Sequence, residues 1–586
     1  MRKPFLAFVV VVSSIMSGPA FAQARPEADM CLVPPGAQPP LPARLLDGQG
    51  DTHMPVTTTS PEAQKFFNQG VAQLHSFWAM EAERSFLQAA TLDPNMAMAY
   101  WGIGMIASGD YRPAFQLLRA NGGKAPAPAQ SVSPESVPRT ANGAAVNGQV
   151  RAREYAEKAM ALRDKVTPRE RLYIDALWAR RNPATKDPDA DYIAGMRKLV
   201  TAFPDDLEAR SMLGLALLDG YDSVTREPRA HTLEGLTLLE QVVAHDDNHF
   251  GAHHYLIHGY EGGKTPEKAW HACARYPELV PNIPHALHMP GHIYAQSDRA
   301  PDAVKAFADA AANELTWINA DVLYSNGHHA HNVHFLVQAL NLEGRFGEAM
   351  QRVHHMMADF KETPRERNGN SQVTMYRQAY FSLVKTLVRF EKWNEILDGR
   401  TLPVYDKPEQ QVWRHYAVGL AHAALGHAAE AKTSLAELDV FLSQVTANKE
   451  PFAIAALELK ATIAGRSGDT KQANEWFRQA ADRETAQLYT EPPAYPRPVA
   501  EGWANVAFAA RDFATAERAY REALVREPGY GRAYFGLAAT LTALGRPDEA
   551  RAIEDKARVS WARADKDLLP FSPATRTTAS GPGQRH

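Results

Sequence analysis

Apolar residues along most of this chain recur every three or four positions, the spacing that places them on one face of a helix. The segments from Leu207 to Leu218 and from Thr232 to Ala244 show this period clearly. No stretch alternates apolar and polar residues for long enough to predict a β-strand. The pattern therefore predicts a protein built almost entirely of α-helices.

Small residues repeat along the chain at an interval of about 34 residues. Three C-terminal alanines return one interval later, and the six are Ala504, Ala516, Ala523, Ala538, Ala550 and Ala557. The N-terminal region carries the same motif as Phe66, Gly70, Ala82, Phe86, Ala89 and Pro94. This is the motif of the tetratricopeptide repeat (TPR), in which small residues stand where two helices touch. Since each hairpin has an apolar face that only its neighbours cover, the sequence predicts an all-α, TPR-type helical-hairpin solenoid.

The start of the chain has the pattern of a signal peptide. Two basic residues precede an apolar run from Phe5 to Val12, and Ala20-Phe21-Ala22 offers small residues to a signal peptidase. The run is shorter than the roughly 20 residues that a membrane span needs. We therefore expect residues 1–22 to be removed and the mature chain, without a membrane span, to be periplasmic or secreted.

Composition and repeat pattern divide the rest of the chain. One segment is rich in Ala, Pro, Ser, Asn and Gly and is interpreted as a flexible loop insertion. The predicted order is an N-terminal extended segment (23–60), N-terminal TPR units (61–121), the loop insertion (122–150), central TPR-like units with a histidine-rich groove (151–360), C-terminal TPR units (361–561) and a disordered tail (562–586).

Charge and cysteine content narrow the classes of partner. The formal net charge is −4, without the excess of basic residues that marks a polyanion-binding protein, so no nucleic-acid partner is predicted. The chain has two cysteines, Cys31 and Cys273. Export would permit a disulfide between them, but two cysteines without a spacing pattern do not decide whether it forms.

Histidines are concentrated in one part of the chain, since 13 of the 22 lie between His245 and His334. Ala269, Ala303 and Ala349, taken as the same small position of three successive repeats, set a common register for this region. In that register the fifth position of the first helix is held by His254, His288 and His334, the ninth by His258 and His292, and the second by His285 and His331.

In the TPR motif these positions, together with the twelfth, line the concave groove. Residues three or four apart share a helix face, and packed helices lie about 8–10 Å apart, so imidazoles from adjacent helices can meet at one metal or at two close metals. Glu261, at the twelfth position, could add a carboxylate. The predicted metal ligands are His254, His258, Glu261, His288, His292, His331 and His334. Such a set suits copper, zinc or iron, and a metal-free polar pocket and incidental enrichment are the alternatives.

Two further residues qualify this prediction. Pro290 removes a helix hydrogen bond and is tolerated most easily in a first turn, so we expect its helix to begin near Leu287 or His288. His271 falls on the second helix of its hairpin and is interpreted as a structural residue.

Three histidine motifs carry a resemblance to known proteins. They are His253-His254-Tyr255-Leu256-Ile257-His258, His288-Met289-Pro290-Gly291-His292-Ile293 and His331-Asn332-Val333-His334-Phe335-Leu336. With them the chain resembles a group of exported bacterial TPR proteins that is largely uncharacterised. The stretch Glu491-Pro492-Pro493 fits the same group, although Ala494 stands where relatives often carry an aromatic residue. The resemblance implies the architecture and export, and it implies no established activity.

Familiar catalytic signatures are absent from the sequence. It contains no His-Glu-x-x-His, Walker phosphate loop, Gly-x-Ser-x-Gly elbow or Cys-x-x-Cys-His haem motif. Whether the protein is an enzyme is therefore left open. The preferred hypothesis is a binding protein or scaffold whose groove holds a metal ion, or a protein, peptide or small-molecule ligand. The alternative is a metal-dependent oxidase or hydrolase that uses the groove histidines. An open metal position would favour the enzyme, and a closed four-ligand shell would favour structure or storage.

Overall fold

The computed structural model describes residues 42–109, 111, 148–320, 326–358, 375–487 and 492–568. The predicted signal peptide (1–22) lies outside these residues, as do most of the predicted loop insertion (122–150) and tail (562–586). The described part is made of α-helices joined by short turns, with one isolated β-bridge between Tyr221 and Pro228.

The first twelve helices of the described part are α1 (Pro61–His75), α2 (Ala79–Leu92), α3 (Ala97–Ile106), α4 (Gly148–Ala161), α5 (Pro168–Arg181), α6 (Pro188–Ala202), α7 (Leu207–Ala216), α8 (Thr232–His245), α9 (Phe250–Tyr260), α10 (Trp270–Leu279), α11 (Pro284–Gln296) and α12 (Ala300–Ala320).

The other twelve are α13 (Asn326–Leu342), α14 (Phe346–Ala358), α15 (Met375–Arg389), α16 (Trp393–Leu397), α17 (Pro408–Ala424), α18 (Ala428–Gln444), α19 (Glu450–Arg466), α20 (Thr470–Thr485), α21 (Val499–Ala509), α22 (Phe513–Arg526), α23 (Gly531–Ala543) and α24 (Pro547–Ser560). Successive helices pack as hairpins, and each hairpin packs on the next. The predicted all-α, TPR-type solenoid is confirmed.

The small residues of the repeat stand where helices come too close for larger ones. Phe86 of α2 is fully buried between α1 and α3. A Cβ atom added to Gly70 on one side or to Gly102 on the other would lie 2.6 Å from its ring. Predicted alanines such as Ala504 and Ala516 are likewise fully buried. Their side chains fill the seams between helices, as the period of the sequence predicts.

The structure corrects three local predictions. Helix α4 begins at Gly148, so residues 148–150 are helical and not part of a loop insertion. Residues 562–568 were predicted as disordered tail but are ordered, and Leu568 is buried. Pro290 lies inside α11, which begins at Pro284 and not near His288 as expected. The burial of Met289 and Ile293 on either side of Pro290 shows that packing holds the helix together despite the missing hydrogen bond.

Both ends of the described chain pack against its middle. Helix α1 contacts α9, far along the sequence. At the other end, the Trp561 indole N–H donates to the carbonyl oxygen of Leu342 at 2.9 Å. Arg389 at the end of α15 forms a buried, bidentate ion pair with Glu527, with N···O distances of 2.8 and 2.5 Å. These contacts fix the central helices between two flanking sets of hairpins.

Replacing Glu527 by Gln should destabilise the protein, because it leaves the Arg389 guanidinium buried without its counterion. Removal of one partner from a buried pair costs about 3–5 kcal/mol of unfolding free energy, which urea-induced unfolding would measure. Glu549→Gln is the matched control, since its ion pair with Arg546 is at the surface. Equal effects of the two substitutions would contradict the structural role given to the buried pair.

Candidate metal centre

Helix α9 brings three imidazoles into the interior, those of His253, His254 and His258. All eleven of its residues are buried, including His254 and His258, which lie one turn apart. Helix α11 carries His285 in its first turn, facing α9. A buried imidazole needs partners for its nitrogen atoms, so the contacts of His254, His258 and His285 decide what the site can do.

His254, His258 and His285 form a three-histidine cluster. One nitrogen from each lies within 4.8 Å of the others, and the Nε2 atoms of His254 and His285 are 3.1 Å apart. A tetrahedral metal with bonds of 2.0–2.1 Å holds its nitrogen ligands about 3.3 Å apart. The spacing of the cluster therefore fits ligands of one metal ion, and it also fits an N–H···N hydrogen bond.

In two of these rings the Nδ1 atom, which points away from the cluster, already has a hydrogen-bond partner. The Nδ1 atom of His254 lies 2.5 Å from the backbone carbonyl oxygen of His75, which can only accept, so the proton is on Nδ1. In the same way the Nδ1 atom of His258 donates to Glu261 Oε2 at 3.2 Å. Both rings are thereby held in the tautomer whose Nε2 carries no proton. Histidines that bind a metal through one nitrogen commonly donate the other ring N–H to a backbone carbonyl or a carboxylate in this way.

Aromatic side chains enclose the cluster. The ring of Phe77 lies 4.5, 5.3 and 5.7 Å from the rings of His254, His258 and His285. Tyr276 stacks on His254 at 4.9 Å. Phe77 lies in the turn after α1 with a φ of 53°. This backbone conformation is strained for any residue other than glycine and therefore costs free energy. The turn thus places both an apolar ring and the His75 carbonyl against the cluster.

A buried ion pair holds that turn in place. The imidazole of His75 contacts the Glu208 carboxylate, and His249 Nε2 lies 3.6 Å from the same oxygen. Burial by itself would raise the pKa of Glu208, but the two imidazoles lower it far below its ordinary value. Burial lowers the pKa of His249, and Glu208 more than reverses this effect, so the pKa is raised.

The other predicted ligands are distributed over neighbouring positions. His288 and His292 on α11 approach each other, with 2.7 Å between their Nε2 atoms, and the ring of His331 is 5.4 Å from that of His288. His334 bonds to Gln378 instead. The structure therefore does not bring the six predicted histidines to one point.

Glu261 lies behind the rings and not among the nitrogens. One carboxylate oxygen accepts from His258, and the other is 3.5 Å from Nδ1 of His292. Its position suits the orientation of two histidines better than the ligand role predicted for it. His285 was missing from the predicted ligand set, although its second position in the repeat register was a signal that could have found it.

Glu261 also lines a large cavity. The cavity has a volume of about 700 Å³ and lies between the central helices and the C-terminal hairpins. Its wall includes Arg226, Tyr495, Arg497 and Glu527 as well as Glu261. Sites for small organic molecules usually have volumes of about 300–1,000 Å³. A molecule of that size would be separated from His258 and His292 by the Glu261 side chain.

A second group of possible ligands lies near the surface. Asp247, His253 and His271 each offer one atom within 4.8 Å of the others. Asp247 is already engaged, since His271 Nε2 lies 2.6 Å from one oxygen and Arg275 Nε lies 3.2 Å from the other. A cation so close to the carboxylate disfavours a metal ion there. His271, interpreted from the sequence as structural, is nevertheless part of a potential ligand group.

One comparison with known protein families supports the repeat. Residues 507–558 match a family model of the tetratricopeptide repeat. No curated protein matches the chain. Similar solved structures include the human IFIT1 dimer with m7Gppp-AAAA, at 11% identity and a TM-score of 0.32, over 86% of this chain and 92% of that one. Another is the human IFIT1 dimer with PPP-AAAA, at 11% identity and a TM-score of 0.31, over 85% and 90%.

These structural similarities are too low to carry an argument about ligands. The packed hairpins and the matched repeat define the class of the protein, an all-α solenoid of the TPR type. Within the described residues, no helix is both long and apolar enough to cross a membrane.

Replacing Glu208 by Gln should destabilise the protein most between about pH 4.3 and pH 6.5, the ordinary pKa values of the two groups. The lowered pKa of Glu208 gives stability that is present above the ordinary carboxyl value and is lost as pH falls through the folded value. The raised pKa of His249 gives stability that is present below the ordinary imidazole value and is lost as pH rises through the folded value.

Thermal unfolding of parent and variant at about pH 5.5 and about pH 8.5 would measure this dependence. The matched control is Glu450→Gln, because the partner of Glu450 is Arg483, which stays charged at both values. We expect the control to have the same effect at both pH values. If Glu208→Gln behaved like the control, the charge interaction would not be what holds the turn.

Proposed function

We propose that the protein is a metal-binding TPR-type solenoid whose ion is held by His254, His258 and His285. The observation that carries this proposal is the convergence of the three rings. Two of them, His254 and His258, also donate hydrogen bonds from Nδ1 to the His75 carbonyl and to Glu261. Neutral imidazoles with proton-free nitrogens suit zinc, copper or iron. The aromatic enclosure, which Phe77 dominates, supports the proposal because it excludes competing water.

The cavity beside Glu261 is the proposed binding site for a small-molecule or peptide ligand. Concave solenoid surfaces commonly bind peptides and other ligands, and a volume of about 700 Å³ accommodates a small molecule or a few residues of a peptide. We place the ligand of the groove there. Export to the periplasm or the medium rests on the signal-peptide pattern of residues 1–22, and the mass of the mature chain would test it.

Replacing His254 by Ala should remove the metal ion held by this cluster, because it removes one of its three ligands. The helical circular dichroism should stay nearly unchanged, since the change is confined to one side chain. Elemental analysis of protein purified without a metal-binding tag would measure the metal content. His285→Ala should give the same result.

Two controls separate this site from the larger set predicted from the sequence. His334→Ala should retain its metal, because His334 bonds to Gln378 and not to the cluster. His354→Ala removes an exposed histidine of α14 and should also have no effect. If the parent protein held no metal, or if His254→Ala held as much as His354→Ala, the proposed metal site would be wrong.

A metal-dependent enzyme, oxidase or hydrolase, is the second candidate. It is favoured by the three-ligand cluster, because catalytic zinc sites commonly use three protein ligands and leave a position open. No fourth His, Cys or carboxylate within the described ranges belongs to the cluster. A metal held there would supply Lewis acidity to a bound substrate.

Azide added to the cobalt-loaded protein should distinguish the two candidates. An open position accepts the anion and shifts the visible absorption of cobalt, whereas a closed shell leaves the spectrum unchanged. The His285→Ala variant is the control, since any shift that arises at another site should persist in it. An unchanged spectrum of the loaded parent would exclude the enzyme candidate and leave the metal-binding function in place.

A further inference from the structure

The three histidines of the cluster occupy defined positions of the repeat. It takes the fifth and ninth positions of one groove-lining helix, His254 and His258 of α9, and the second position of the next groove-lining helix, His285 of α11. One repeat further along, the fifth and ninth positions are His288 and His292 of α11. The second position of the next groove-lining helix, α13, is His331. The same three positions therefore carry histidine twice in succession.

We infer that His288, His292 and His331 form a second metal site, a copy of the first displaced by one repeat. The inference rests on the proposed function, because it extends the same ligand pattern to a second ion of the same kind. A solenoid repeats its geometry from unit to unit, so side chains at equivalent positions meet their neighbours in equivalent ways. The second site takes a transition metal, zinc, copper or iron.

Two ring distances of the second set resemble those of the first, although its three histidines do not all bring ligand atoms within 4.8 Å of one another. The rings of His288 and His292 are 4.7 Å apart, the same distance as those of His254 and His258. His331 lies 5.4 Å from His288, compared with 5.0 Å between His285 and His254. His331 is partly exposed, and it would complete the second set by turning towards the other two rings.

The closest nitrogen contact of the second set is between the Nε2 atoms of His288 and His292, which are 2.7 Å apart. This is shorter than the roughly 3.3 Å between ligands of a tetrahedral metal and nearer to the about 2.9 Å between ligands at right angles on a square-planar or octahedral ion. An N–H···N hydrogen bond is the other arrangement that brings two imidazoles this close.

Aromatic rings enclose this set as Phe77 encloses the first. Phe307 and Phe335 lie 4.9 and 4.8 Å from the ring of His288, and 5.9 and 4.8 Å from that of His292. All four side chains are buried. An apolar shell of this kind strengthens metal–ligand interactions by lowering the local dielectric constant.

Glu261 connects the two sets. Its two oxygens lie 3.2 Å from Nδ1 of His258 and 3.5 Å from Nδ1 of His292. Each ring then turns its Nε2 away from the carboxylate, one towards each set of histidines. A single acidic side chain thus orients one ligand at each position, and its loss should weaken both sites by about 10- to 100-fold.

The pattern also ends at a definite place. One repeat beyond the second set, the fifth position is His334, but the ninth is Gln338. His334 bonds to Gln378, so its ring is used in a contact between side chains of α13 and α15. Within the described residues, the pattern of three histidines therefore occurs twice.

The test is the stoichiometry of zinc binding, measured by equilibrium dialysis of full-length, metal-stripped protein at a free zinc concentration that saturates the parent. All variants carry His271→Ala, which removes the surface group formed with Asp247 and His253. The expected result is two zinc ions per chain in this background. His285→Ala and His292→Ala should each reduce the number to one, and the two together should reduce it to none.

Each other result has a defined meaning. One zinc ion that is lost with His285→Ala and unaffected by His292→Ala would overturn the second site and leave the proposed function standing. No zinc at all would overturn both. Circular dichroism checks that each variant is folded, and His292→Gln, which keeps a polar side chain of similar length, replaces His292→Ala if that variant is unfolded. Glu261→Gln should lower the affinity of both ions, and a change confined to one would contradict the role given to this carboxylate.

Discussion

An imidazole buried away from water must find partners for its nitrogen atoms, and α9 places two of the cluster's three imidazoles in a helix with no exposed residue. His254 meets this requirement with the His75 carbonyl, 179 residues away in sequence, and His258 meets it with Glu261. Each bond fixes a tautomer, so the remaining nitrogen of each ring is directed at the other rings. The site depends on these two outer contacts as much as on the histidines themselves.

The contact with His75 explains why the first hairpin packs on the middle of the solenoid. The turn that presents the carbonyl is strained at Phe77, at a cost of about 1–3 kcal/mol. The ion pair of Glu208 with His75 and His249 offsets that strain. The strained turn in return places the Phe77 ring over the cluster, which no straighter connection between α1 and α2 would do.

Much of the fold could be predicted from the sequence, because in a repeat protein the residues that contact neighbouring helices recur at a fixed interval. The helical period and the alanines at 34-residue spacing report contacts between neighbours, and neighbours are close in sequence. The grouping of histidines from neighbouring helices was predicted for the same reason. The partners of those histidines were not, because His75 and Phe77 reach the site through a contact between distant hairpins. The start of the helix that contains Pro290 was predicted wrongly, because helix propensity favours proline in the first turn, whereas tertiary packing overrides this preference here.

The same requirement for partnered nitrogens accounts for the different roles of equivalent histidines. His254, His288 and His334 share a register position, yet only the first two have a histidine one turn further along the helix. Where the ninth position is Gln338, no second imidazole is available, and His334 turns to the Gln378 amide instead. A repeat therefore supplies the position of a ligand but not its use. Use is decided by whether the neighbouring positions provide further ligands or a hydrogen-bond partner, and Glu261 is a carboxylate that contacts histidines of two repeats at once.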